Sequence, residues 1–97
     1  SVPRIAASTG AGMITAPQLR AARALLGIDQ RRLASMAGVS LPTIQRMEAS
    51  EGTVRGVVGT LVKVVAALEA AGIELIGEGQ PSRHQGRGVR LKAPARD

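Results

Sequence analysis

Apolar positions recur at intervals of three and four along most of this chain, then switch to intervals of two near its end. Residues Ser1 to Gly12 show neither period and are rich in Ser, Ala and Gly, which predicts a disordered extension over 1–13. Structured-looking sequence follows Met13 at once. Thr15-Ala16-Pro17-Gln18 reads as a helix start, with Thr15 as cap, Pro17 in the first turn and Gln18 at the capping-box position. Leu19, Ala22 and Leu26 then keep helical spacing, and Gly27 ends that helix. Asp29 caps a second, short helix whose buried stripe is Leu33, Ala34 and Ala37, closed by Gly38. Ser40 caps a third, from Leu41 to about Ser50, with Ile44 and Met47 inward. After a link from Glu51 to Arg55, Val58, Leu61, Val65 and Leu68 mark a fourth helix that stops at Ala71-Gly72.

The period then changes. Ile73 with Leu75, and Val89 with Leu91, alternate as strand residues do, and the stretch from Gly77 to Gly88 between them is rich in Gly, Pro and Ser. The expected architecture is mainly α: a four-helix domain over 14–72, then two short β-strands, a hairpin or strand pair, within 73–92, and a disordered tail over 93–97. An isolated two-stranded hairpin is only marginally stable. These strands are therefore expected to pack on the helices or pair with a second copy of the chain.

Composition narrows the functions. The 97 residues contain no Cys, Phe, Tyr or Trp, and only one His. Without cysteine there is neither a disulfide framework nor a thiolate zinc site. Without aromatic rings, base stacking of the kind used by single-strand and many RNA binders has no platform. His84, the lone histidine, falls in the glycine-rich loop beside Arg83 and Gln85, so neither paired acid-base chemistry nor a metal site is expected. An enzyme is not the reading, and no cofactor is implied. No apolar run is long enough to span a bilayer, and Ser1 to Gly12 lacks the apolar block of a secretory signal. A soluble, cytoplasmic, nucleoid-associated protein is expected. Net charge is +6, which favours a polyanionic partner, although half of the excess lies after Ile76.

The most specific signal is the string Asp29-Gln30-x-x-Leu33-Ala34-x-x-Ala37-Gly38-Val39-Ser40-x-x-Thr43-Ile44-x-Arg46-x-Glu48. It resembles the XRE (Cro/cI, phage-repressor-like) family of helix-turn-helix regulators, whose usual pattern is Ser-Gln-x-x-Leu-Ala-x-x-x-Gly-Val-Ser-x-x-x-Ile-x-x-x-Glu. The likeness runs from Gln18 to about Leu68. It implies a repressor-like domain that sets the third helix in a major groove, a groove about 12 Å wide. By the same resemblance Gln30 donates to a phosphate at the start of the second helix, and Ser40 and Thr43 contact the DNA backbone. Leu41, Pro42, Gln45 and Arg46 face base edges, and Arg55 grips phosphate beyond the third helix. Arg46 suits guanine, because a planar guanidinium can bond O6 and N7 together, and Gln45 suits adenine. Arg23 and Glu48 match an ion pair that locks the recognition helix in phage repressors, so they are expected to be structural. Two features depart from the pattern: Ala49-Ser50 stands where Asn-Gly is usual, and the third helix opens with Leu41-Pro42 instead of a polar pair.

The resemblance implies a sequence-specific, double-stranded DNA-binding regulator, chiefly a repressor, working as a homodimer on a palindromic operator. The end of the chain also looks like that of short bacterial regulators of this family. The alternative is a helix-turn-helix that grips another regulatory protein, as an anti-activator or antitoxin; the apolar Leu41-Pro42 leaves room for it. Polar groups kept at both Gln30 and Arg46 favour DNA.

Overall fold

A computed structural model describes residues 14–51, 54 and 58–92. Among them lie four helices: α1 (Ala16–Leu26), α2 (Gln30–Ala37), α3 (Leu41–Glu48) and α4 (Val58–Ala70). Three of the four N-termini are set by the side chains that the sequence marks. Thr15 accepts from the Gln18 amide while the Gln18 side chain reaches back to the Thr15 N–H, a reciprocal box that satisfies two donors of the first turn. The Asp29 carboxylate takes the Arg32 amide at 2.7 Å, and the Ser40 hydroxyl takes that of Thr43 at 3.3 Å.

With no aromatic side chain available, the core is built from small aliphatics in close contact. Leu19, Leu33, Ile44, Val64 and Leu68 are its largest fully buried members, and Ala16, Ala22, Ala34 and Ala37 let the helices approach. Helix α2 packs against both α3 and α4, and α1 packs against α3. The α2–α3 turn depends on Gly38, whose φ of +70° is strained for any residue with a Cβ. Its geometry returns the Gly38 and Val39 amides to Ser35 and Ala34 and leaves Val39 half-buried in the angle between the two helices. Ahead of α1, the Ile14 carbonyl accepts from the Val54 amide at 2.9 Å, which ties the start of the domain to the α3–α4 link.

The expected strand pair does not form. Among the described residues there is no strand, and the reason lies in where the polar groups of 73–92 go. Ile73 and Leu75 do pack against the core, as their alternation predicts, and the Ile76 carbonyl accepts from the Gln18 side-chain Nε2 at 3.0 Å. The returning segment is held by side chains instead of a ladder. The Glu74 carboxylate takes the Ser82 hydroxyl and the Arg83 amide, and the Arg90 guanidinium donates to the carbonyls of Gln80 and Gly77. Val89 and Leu91, expected as strand residues, are 80% and 97% exposed and do not pack on the helices. Residues 1–13 and 93–97, for which disorder is expected, lie outside the described residues.

Candidate nucleic-acid interface

Helix α3 has one buried and one open face. Ile44 and Met47 enter the core with Glu48, while Pro42, Gln45, Arg46 and Ala49 point outward at spacings of three and four. This outward stripe holds three of the four residues expected to face base edges. Leu41, the fourth, is half-buried, so it is shared between the core and the open face. Ser40 and Thr43 stand together at the helix start, their hydroxyl oxygens 2.7 Å apart. Pro42 occupies the first turn, where a missing N–H costs nothing.

What holds α3 in place is centred on Glu48, the one polar side chain in the core among the described residues. Arg23 of α1 meets it in a fork: Nε donates to Oε2 at 2.5 Å and Nη2 donates to Oε1 at 2.8 Å. Nη1 of the same guanidinium donates to the Ile28 carbonyl at 3.2 Å, in the α1–α2 link. Burial pushes the Glu48 carboxyl up. The hydrogen bonds from Arg23 and Gln30 and the nearby charges of Arg23 and Arg20 outweigh it and hold that carboxyl below the usual carboxylate range. The hydrogen bond to Glu48 in turn raises Arg23, against the opposing effect of burial. The expected Arg23–Glu48 pair is thus present, and it links α1, the α1–α2 link and α3 in one contact.

Gln30 is placed in two settings at once. It opens α2, as expected of a phosphate donor, but its amide nitrogen donates to Glu48 Oε1 at 2.9 Å. One amide hydrogen is therefore committed inside the protein and the second remains for an outside acceptor. Arg55 lies outside the described residues. Arg20 is a contact that the sequence gave no reason to single out. Its Nη1 donates to the Glu48 main-chain carbonyl at 2.6 Å. The available signal is its position three residues before Arg23, which puts both on one face of α1.

An open groove of about 860 Å³ lies elsewhere, lined by Leu25, Ile73, His84, Arg87 and Val89 among others. Leu25 is two residues past Arg23, roughly 200° around α1, so this groove is on the flank away from Glu48. Among the described residues no group of His, Cys, Asp and Glu could hold a metal ion, and no helix is long and apolar enough to cross a membrane.

Comparison with known proteins agrees with this geometry. Residues 19–56 match the family described as Helix-turn-helix, a segment that runs from within α1 through α2 and α3. No curated protein and no solved structure matches the chain. The matched segment holds the Gly38 turn between two short helices and the Arg23–Glu48 lock, and over residues 19–56 the chain is similar to the XRE (Cro/cI-like) helix-turn-helix family.

Proposed function

We propose that the chain is a sequence-specific, double-stranded DNA-binding transcriptional regulator, acting as a repressor. It works as a homodimer on a palindromic operator. The observation that carries this reading is the open stripe of α3: Pro42, Gln45 and Arg46 project from a helix whose opposite face is locked to α1 and α2 through Glu48. Such a helix, lying in the major groove with its outward stripe toward the bases, brings Arg46 to a guanine edge and Gln45 to an adenine edge. Ser40 and Thr43 then lie at the groove wall, with the free amide hydrogen of Gln30 available to a phosphate and Arg55 assigned the same task. Leu41 and Pro42 offer apolar contact to a thymine methyl. A single such helix covers few base pairs, which is the physical reason for two copies on half-sites about one helical turn apart.

The direct test starts by enriching duplexes from a random pool on the parent protein and measuring binding to the enriched duplex across a salt series. Scrambled duplex competes, and Arg46→Ala is run beside the parent. Loss of one bidentate base contact should cost about 1–3 kcal/mol on the enriched duplex and little on the scrambled one. A parent that enriches no sequence and shows no preference at low salt overturns the proposal.

A further inference from the structure

We infer that Arg20 is the C-terminal cap of the recognition helix and, through that cap, a positioning residue for base reading; the second half rests on the DNA reading proposed above. The last four carbonyls of any α-helix lack intrahelical partners and must find others. Helices α1, α2 and α4 solve this in the same way. A glycine in a left-handed conformation follows each of them, and paired amides fold back: Gly27 and Ile28, Gly38 and Val39, Gly72 and Ile73. Helix α3 alone among the described helices does not. Ala49 follows it with φ −86° and ψ −6°, so the chain keeps a right-handed conformation past Glu48.

The carbonyls of its final turn can be followed one by one. The Gln45 carbonyl takes the Ala49 amide at 3.1 Å, and the Met47 carbonyl takes the Ser50 amide at 3.3 Å. The Arg46 carbonyl takes the Ser50 hydroxyl at 3.2 Å. The Glu48 carbonyl takes no main-chain donor among the described residues, and Arg20 supplies one from a different helix at 2.6 Å. A guanidinium there also places positive charge at the negative end of the α3 dipole. The departure from the family pattern at Ala49-Ser50, where a glycine is usual, thereby has a compensating residue. The replacement has a consequence that a glycine cap does not. The end of α3 is fixed to α1 through its main chain as well as through the Glu48 carboxylate, and the outward stripe carrying Gln45 and Arg46 lies in that same final turn.

Arg20 is itself exposed, so its substitution leaves the core intact. Arg20→Ala and Arg20→Lys are compared with the parent in two measurements. The first is amide hydrogen exchange on the free protein at Ala49 and Ser50. Arg20→Ala should speed it and Arg20→Lys, which keeps a donor and the charge, should largely restore it; unchanged exchange in Arg20→Ala overturns the cap. The second is binding to the enriched and scrambled duplexes across salt. Arg20→Ala should lower the preference for the enriched duplex about fivefold, the size of one lost hydrogen bond, with the salt slope unchanged. A uniform loss on both duplexes with a shallower salt slope shows instead that Arg20 neutralises a phosphate, and it overturns the positioning role. Should the parent prefer no duplex, the DNA reading falls and the positioning role with it, while the exchange result still decides the cap.

Discussion

Glu48 shows at the scale of one residue how a buried charge can serve a surface function. Its side chain is only 4% exposed and receives Arg23 in a fork and Gln30 on one oxygen. Removing one partner from such a pair leaves the other charge short of compensation. Glu48→Gln keeps the shape and the link to Gln30 but withdraws the charge facing Arg23, and is expected to cost about 3 kcal/mol in urea unfolding. The pH dependence follows from the direction of the shift. A carboxyl held low in the folded state contributes stability that is fully present above its unfolded value of about 4.3. That contribution is lost as the pH falls through the lower folded value. The parent should therefore lose thermal stability more steeply than Glu48→Gln below about pH 4. Parallel acid limbs for the two proteins would show that the carboxylate is not what holds α3.

Elements show why some of this structure could be read from the chain and some could not. The starts of α1, α2 and α3 were legible because each is decided by one side chain within three residues of the amide it satisfies, at Thr15, Asp29 and Ser40. The α2–α3 turn was legible for the same local reason. Gly38 has nothing within 4 Å of where a Cβ would stand, so the cost of adding one is conformational and not steric. Gly38→Ala is accordingly expected to destabilise by about 1–2 kcal/mol, a drop of several degrees in Tm, with Gly38→Asn losing less because asparagine tolerates this region better. Equal melting temperatures for the alanine variant and the parent would remove the turn from the list of determinants. The Arg23–Glu48 lock, 25 residues apart in the chain, came from family resemblance, since no local pattern predicts it. Nothing local marks Arg20 as the donor for α3 either, because the need arises at Glu48 and the answer comes from another helix. The strand pair failed for a related reason. Alternation at Val89 and Leu91 says that one face is apolar, but pairing is decided by distant competitors, here Glu74 holding Ser82 and Arg83, and Arg90 holding two carbonyls.

At the scale of the whole molecule the proposed homodimer requires a surface for a second copy, and the C-terminal segment gives a way to test one. The sequence expectation that 73–92 can pair with a second copy makes it the first candidate surface, and Val89 and Leu91 there stand in water although both are strongly apolar. Contact with a second copy would cover them, and burying each side chain would contribute roughly 1.5–3 kcal/mol. The same exposure means that these residues lend nothing to the helical core, whose packing is completed by Ile73 and Leu75 and by the Gln18 bond to the Ile76 carbonyl. Deleting residues 77–97 should therefore separate assembly from folding. Helix content and melting temperature, taken at a concentration where the parent is monomeric, should stay close to those of the parent, while sedimentation at higher concentration should show a monomer where the parent is a dimer. Binding to the enriched duplex should weaken far more than binding to an isolated half-site, because one recognition helix still fits one half-site. A truncated protein that remains a dimer would move the interface away from this segment. The next surface to test would then be the open side of α4, where Val58 and Val62 are 71% and 48% exposed.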